Sequence, residues 1–349
     1  MPQFVNLPAA GLAAPDFLKD QRMTRFDAKI ARIRAGNYKR TDFIIADAKD
    51  GDMGPSIPSC GPKLEKDCSY TRYRTRAEFL GQIKAVITQD IVDIMLTSAS
   101  NLELLTESGA YAGSSVKPAI RANDATDIWV GRGAAYASQP SRPYRTASLS
   151  VNRRHTDLGL YSITFNNDLD ADYNSLLAFL DFVEDADDNG FNYFLEVFNP
   201  NVDTGIAPDL QPHFVNDCIC RALAGLTGAR RPQFLKIPFN GPKALEELTS
   251  YDPSLVVGVL GGGAGTARDT FELIHQAEKY GARVALFGRK INLAEDPLAM
   301  VKFMRAVADG DLGPEEAVRA YHGALQAGGQ KPMRSLSDDM AITEKVLMN

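Results

Sequence analysis

Eight short, densely apolar runs, spaced so that most neighbours leave room for a helix between them, constrain this chain more than any other feature. They are Phe43–Ala48, Ile91–Leu96, Asp127–Val130, Leu158–Phe165, Tyr193–Phe198, Phe234–Pro238, Leu255–Leu260 and Arg283–Phe287. Their residues do not alternate cleanly between apolar and polar. That is the pattern of parallel strands covered on both faces. The intervening stretches carry apolar residues at helical spacing, as in Tyr173–Asp185 and in Thr266–Tyr280, which meets Gly281 as a stop. Pro297–Ala308 and Pro314–Gln326 each open on a proline at a first-turn position. Eight such units, repeating about every 35 residues, predict an α/β chain folded as a (β/α)8 TIM barrel. A doubly wound open sheet is the rival, and strand count and length favour the barrel. An extra N-terminal helix, roughly Asp16–Arg34 with Ile30 and Ile33 on its apolar side, is expected to cover the barrel bottom. The expected organisation is one domain: a helical cap over 1–40, the barrel over 41–310, and a C-terminal helix and tail over 311–349.

Composition narrows the function classes. A net charge of −6 excludes a chain-wide basic footprint for nucleic acid. The four cysteines, Cys60, Cys68, Cys218 and Cys220, form no CxxC and fit no zinc template, so free thiols in a reducing compartment are expected. The first residues lack a basic region ahead of an apolar one, and no apolar run approaches the ~20 residues that span a bilayer. The chain therefore reads as cytoplasmic, with no membrane or nucleic-acid partner. HExxH, a serine elbow and a Walker loop are missing, and no cofactor or metal is expected.

Lys236 is the most informative residue. Alternation along Phe234-Leu235-Lys236-Ile237-Pro238 puts Lys236 with Phe234 and Pro238 on one face. An ammonium against the dry helix layer would be costly, so that face points into the barrel. Burial lowers a lysine pKa. At the ordinary ~10.4 about 0.04% of the amine is neutral at pH 7, and at ~7 about half is. A neutral lysine can form a Schiff base with a carbonyl. A structural lysine paired with a neighbouring carboxylate is the alternative. Glu196, in Phe194–Phe198, and Asp47, in Ile45–Lys49, are acids within apolar runs, and the same argument turns both inward, with Lys49 beside Asp47. They read either as general acid/base groups or as members of a buried ion-pair network. Asp93, near the start of its run, reads as structural.

The seventh run closes on Gly261-Gly262-Gly263-Ala264-Gly265-Thr266 and leads into a helix, and Gly288-Arg289-Lys290 follows the eighth. Glycines admit an anion close to the backbone, and loops after the seventh and eighth strands of such barrels commonly hold phosphate. Gly261, Gly262, Gly263, Gly288 and Arg289 are the candidate phosphate contacts, Arg289 through a bidentate grip. Long βα loops follow strands 1 and 3, over Asp50–Arg76 and Gly131–Asp157. They are either substrate-selecting loops at the catalytic face or solvated and subunit-contact loops. Arg132, Arg142, Arg145, Arg153 and Arg154 in the second suggest a second anionic group on the substrate.

Together these residues resemble the class I, Schiff-base aldolase superfamily, nearest its tagatose-bisphosphate and archaeal-type fructose-bisphosphate branch. FLEVFNPN is similar to that family's strand 5 with its glutamate, FLKIPFNG to its strand 6 with the Schiff-base lysine, and LGGGAGTARDTFELIHQAEKYGA with ALFGRK to its phosphate loops. IIADAKDG is similar to the first strand with its aspartate. The likeness covers the second half of the chain well and the first half in outline. It implies Lys236 as the Schiff-base lysine, Glu196 as an acid/base group, Asp47 as a contact to substrate or carbinolamine, and Arg289, Gly262 and Gly263 as phosphate ligands. Two departures stand out. Ser162 or Thr164 falls where the tagatose branch has a strand-4 lysine, and Ala48-Lys49-Asp50-Gly51 replaces its Gln-Arg-Gly after the aspartate.

The expected activity is reversible aldol cleavage of a phosphorylated ketose, by a carbon–carbon lyase that assembles as a homo-oligomer. A phosphosugar isomerase or epimerase on the same barrel, and a non-catalytic sugar-phosphate-binding barrel, are the alternatives.

Overall fold

The computed structural model describes residues 23–129, 131–263 and 265–348. The reading of the first 22 residues therefore lies outside the described residues. Three strands open the barrel, β1 (Ile44–Lys49), β2 (Ile94–Thr97) and β3 (Lys117–Arg121). A short antiparallel pair follows, β4 (Asn123–Ala125) with β5 (Pro143–Arg145). The barrel resumes with β6 (Leu158–Thr164), β7 (Asn192–Phe198), β8 (Leu235–Ile237), β9 (Val257–Leu260) and β10 (Val284–Phe287). These eight barrel strands close in the order β1-β10-β9-β8-β7-β6-β3-β2, every pairing parallel.

The helices are α1 (Arg25–Arg34), α2 (Arg76–Gln89), α3 (Ala99–Glu107), α4 (Leu149–Asn152), α5 (Leu169–Asp188) and α6 (Gln211–Leu223). They continue with α7 (Pro242–Tyr251), α8 (Ala267–Lys279), α9 (Arg289–Asn292), α10 (Pro297–Asp309), α11 (Pro314–Ala327) and α12 (Leu336–Asp339). The fold is the expected (β/α)8 barrel, with two corrections. The third barrel strand is Lys117–Arg121, not Asp127–Val130, of which Asp127 and Ile128 belong to a turn, Trp129 follows it, and Val130 lies outside the described residues. The N-terminal helix starts at Arg25, because Thr24 caps it: its hydroxyl accepts from the Asp27 N–H while Asp27 accepts from the Thr24 N–H.

Strand alternation sorts the apolar residues into two clusters. Ile44, Ala46, Ile94, Leu96, Ala119, Leu158, Leu160, Phe194, Phe234, Val284 and Leu286 fill the barrel interior, and Phe26 and Ile30 of α1 join them from below. Phe194 and Phe234 stack with ring centroids 4.5 Å apart, and Phe26 meets Phe234 edge-on at 5.9 Å. Helix α1 thus plugs the N-terminal end of the barrel. Ile45, Met95, Ile120, Tyr161, Leu195, Leu235, Val259 and Phe287 belong instead to the larger cluster between strands and helices.

One carboxylate fastens the plug. Asp93, fully buried at the entry to β2, accepts from Arg25 Nε at 2.8 Å, Arg305 of α10 at 2.6 Å and the Ile45 N–H at 2.8 Å. Lys29 Nζ lies 3.0 Å away. Burial would raise its pKa, but Arg305 and Lys29 hold it below the usual carboxylate range. Its contribution is therefore complete above a pH of ~4 and is lost as pH falls through the depressed folded value. Asp93→Asn strands buried cations and is expected to cost about 3 kcal/mol at neutral pH, measured by urea unfolding. The difference from wild type should shrink as pH falls from ~4, where the unfolded carboxyl takes up its proton, through the depressed folded value.

Candidate active site

Ser162, Glu196, Lys236 and Gly258 are paired in register across β6, β7, β8 and β9. Because Phe194 and Phe234 point inward, Glu196 and Lys236, two residues further along, do too. Lys236 Nζ lies 2.5 Å from Glu196 Oε1, and both side chains are buried. Gly258 ends the row where neighbouring atoms leave no room for a side chain. A Cβ there would stand 2.8 Å from the Val284 Cβ and 2.7 Å from the Leu235 carbonyl oxygen.

The second oxygen of Glu196 is also engaged. Ser162 Oγ donates to Oε2 at 2.7 Å, and an Arg121 amino nitrogen stands 3.5 Å from it. Arg121, the last residue of β3, also donates to Ser162 Oγ at 3.0 Å and through Nε to Asp50 Oδ2 at 2.5 Å. Burial alone would weaken the arginine's charge, but Asp50 and Glu196 raise its pKa. Burial would raise the Asp50 carboxyl, yet Arg121 and Lys236 hold it below the usual carboxylate range. Asp50, Arg121, Ser162, Glu196 and Lys236 therefore form one buried charge network.

The β4–β5 pair extends it. Asn123 bonds the backbone of Ser162 on both sides, accepting from its N–H at 2.7 Å and donating to its carbonyl at 2.8 Å. Asp124 is buried, and burial pushes its carboxyl up to about 6 against the opposing charge of Arg121. The Tyr144 hydroxyl of β5 donates to Asp124 Oδ2 at 3.4 Å. Sequence reasoning missed Asp50, Arg121, Asn123, Asp124 and Tyr144. The signal that could have found Asp50 is its parity with Ala46 and Ala48, which line the interior.

The loops singled out for phosphate lie together at the same end of the barrel. The Gly261 N–H donates to the Leu286 carbonyl at 2.7 Å, which ties the loop after β9 to β10. Gly262 adopts φ +61°, a left-handed conformation suited to glycine. A Cβ on Gly288 would stand 2.9 Å from the Ala48 carbonyl oxygen, so the loop after β10 packs against β1. Arg289 is exposed, whereas its neighbour Lys290 is buried. Two arginines of the loop after strand 3 are engaged elsewhere. Arg145 pairs with Asp185 of α5 at 2.6 Å and Arg154 with Glu103 of α3 at 2.9 Å. No group of His, Cys, Asp or Glu among the described residues is arranged to hold a metal. The four cysteines are free thiols. Among the described residues no helix is long and apolar enough to cross a membrane.

The fold is shared with solved Schiff-base aldolase barrels. The chain is similar to an archaeal fructose-1,6-bisphosphate aldolase whose catalytic lysine is covalently bound to the carbinolamine intermediate, at 15% identity and a TM-score of 0.59 over 82% of this chain and 100% of that one. A Schiff-base-forming fructose-1,6-bisphosphate aldolase matches at 17% identity and a TM-score of 0.59, over 81% of this chain and 98% of that one. A structural-genomics target from Corynebacterium glutamicum matches at 18% identity and a TM-score of 0.57, over 86% of this chain and 99% of that one. At these identities the likeness establishes the fold. No protein-family model matches the chain, and no curated protein sequence does.

Asp47 and Lys49 are not in the barrel interior, which corrects their expected orientation. Ala46 and Ala48 occupy the inner face of β1, so Asp47 and Lys49 fall on the outer face with Ile45. In register Asp47 stands beside Met95 and Phe287, both outer residues. The two charges compensate each other there. Lys49 Nζ is 3.2 Å from Asp47 Oδ1, and both are fully buried, with no hydrogen bond of good geometry at any of the three polar atoms. Burial pushes the Asp47 carboxyl up to about 6, Lys49 opposing, and lowers the Lys49 amine, Asp47 opposing. An aspartate that keeps its proton to about 6 when folded, against ~3.9 when unfolded, stabilises the fold below pH ~4. That stabilisation is lost as pH rises to 6, at roughly 3 kcal/mol in all. Asp47→Asn is expected to remove this descending limb. The check is the wild-type-minus-variant difference in urea unfolding free energy at pH 4 and pH 7.

Proposed function

We propose that this protein is a class I aldolase that cleaves a phosphorylated ketose reversibly through a Schiff base on Lys236. The observation that carries the reading is the inward-facing Lys236 amine held 2.5 Å from Glu196 within the closed barrel. The likeness to barrels whose catalytic lysine reacts covalently supports it.

In this reading Glu196 takes the proton from Lys236, and the free amine attacks the ketone carbon to give a carbinolamine. Glu196 then delivers a proton to the carbinolamine hydroxyl, which leaves as water, and an iminium forms. A base removes the proton from the hydroxyl beyond the scissile bond, and the carbon–carbon bond electrons flow into the iminium. An aldehyde departs and an enamine remains on Lys236. Protonation at carbon and addition of water release the second product and restore the amine. Ser162 and Arg121 fix the Glu196 carboxylate so that its other oxygen faces the lysine. Asp124, held near 6 and bonded to Tyr144, is the group assigned to proton transfer at the hydroxyl, because its pKa falls in the range where acid and base forms coexist. The loops after β9 and β10 bind the phosphate. The protein works as a homo-oligomer in the cytoplasm in this proposal.

Borohydride reduction in the presence of dihydroxyacetone phosphate should leave a stable adduct, and peptide mapping should place it on the Lys236 peptide. Lys236→Met should fold and form none. Glu196→Gln should lose about 10²–10⁴ in the rate of imine formation. Asp47→Asn, on the outer face, should trap normally. An active Lys236→Met variant would overturn the reading.

A further inference from the structure

The anion site beside Gly262 is already filled by this chain. After α12 the backbone runs across the N-terminal end of α8. The Ala267 N–H donates to Asp339 Oδ1 at 2.8 Å, and the Thr266 hydroxyl donates to the Ala341 carbonyl at 2.7 Å. The N–H groups of Thr343 and Glu344 donate to Asp269 Oδ1 at 2.8 and 3.2 Å. Leu347 is buried at the end of the segment. These bonds fix where Glu344 can reach. Its Oε1 lies 3.1 Å from Lys290 Nζ, whose side chain is only 1% exposed, while the Glu344 side chain keeps 27% exposure. The same carboxylate stands 3.7 and 3.8 Å from the position of a Cβ on Gly262, so it lies over the bare backbone of the glycine loop. The Lys290 ammonium in turn stands 3.0 Å from the Cβ position of Gly265. A glycine loop open on one side, a buried ammonium and a partly exposed carboxylate between them form an anion site with a resident anion.

We infer that Glu344 is an intramolecular stand-in for the substrate's phosphate group, and that a phosphate monoester binds the β9–β10 loops only by displacing it from Lys290. The identity of the displacing anion rests on the phosphorylated-substrate reading above; the occupied site does not. A carboxylate tethered at the site competes at an effective concentration on the order of millimolar or higher. It sets the affinity for the anionic end of the substrate and holds the ammonium paired when the site is otherwise empty. Glu344 is thus a specificity-determining residue.

The test is binding of inorganic phosphate to the full chain by calorimetry, which requires no turnover. Glu344→Gln keeps the side-chain volume and the backbone anchors, and should tighten phosphate binding roughly tenfold or more. Adding Lys290→Met to Glu344→Gln should abolish that gain. Equal affinity in wild type and Glu344→Gln, no measurable binding in either, or a gain that survives Lys290→Met would each overturn the inference. Thermal unfolding of each variant checks that it folds. A protein that traps dihydroxyacetone phosphate on Lys236 yet binds phosphate equally with and without Glu344 would sink this inference alone. One that fails to trap but shows the tenfold gain would sink the aldolase reading and leave this inference standing.

Discussion

A carboxylate buried in the middle of a barrel has to be compensated at both oxygens, and Glu196 meets that requirement with Lys236 on one and with Ser162 and Arg121 on the other. The remaining inner charges follow from this. Arg121 carries more positive charge than half a carboxylate can offset, and Asp50 supplies the balance. Asp50 in turn is kept ionised by Arg121 and Lys236. Removing any single member strands a partner in a low-dielectric site, which is more costly than never having built the network. Parallel register brings Ser162, Glu196 and Lys236 together on the neighbouring strands β6, β7 and β8, and side-chain bonds link Arg121 of β3 and Asp50, just after β1, to that row.

The two ends of the barrel divide the work. At the N-terminal end, Asp93 joins α1, β1 and α10, and Phe26 closes the interior onto the Phe194–Phe234 stack. Those rings are the floor on which the polar row stands: Phe194 and Phe234 are two residues before Glu196 and Lys236 on the same faces. A packed apolar floor restricts the rotamers of the charged layer above it.

What the sequence revealed and what it hid have particular physical reasons. Lys236 and Glu196 were legible because each is flanked by apolar residues whose alternation defines a face. The parity rule failed at Asp47 because it assumed that an acid in a strand cannot face the helix layer alone. Lys49 shares that face, and the pair compensates itself there. The third strand was misplaced because Asp127-Ile128-Trp129 is apolar for another reason. Trp129 stacks on Tyr136 at 4.9 Å and meets Tyr144 edge-on at 6.0 Å, so the run builds a loop cluster and not a strand. The true strand, Lys117–Arg121, begins with lysine and proline and ends with the site's arginine, and its polar ends disguise it. Arg121 was invisible for the same reason. Nothing local marks an arginine as the partner of a glutamate that lies on β7.

That misplaced strand also shows how the loop after β3 is tied to chemistry. Asn123 bonds both backbone groups of Ser162, so the β4–β5 pair continues the hydrogen bonding of β6. Asp124 follows one residue later, facing Tyr144, and Tyr144 packs on the Trp129 ring. The aromatic cluster on the loop is therefore connected through two side chains to the backbone of the residue that orients Glu196. Arg145, at the end of β5, is held over the Phe182 ring at 5.1 Å and paired with Asp185, which clamps the hairpin to α5. Arg145 and Arg154, two of the arginines that looked like an anion trap in the sequence, are instead paired with Asp185 and Glu103. Under the proposed function, charge for the anionic end of the substrate comes instead from Lys290 and Arg289, directly after β10.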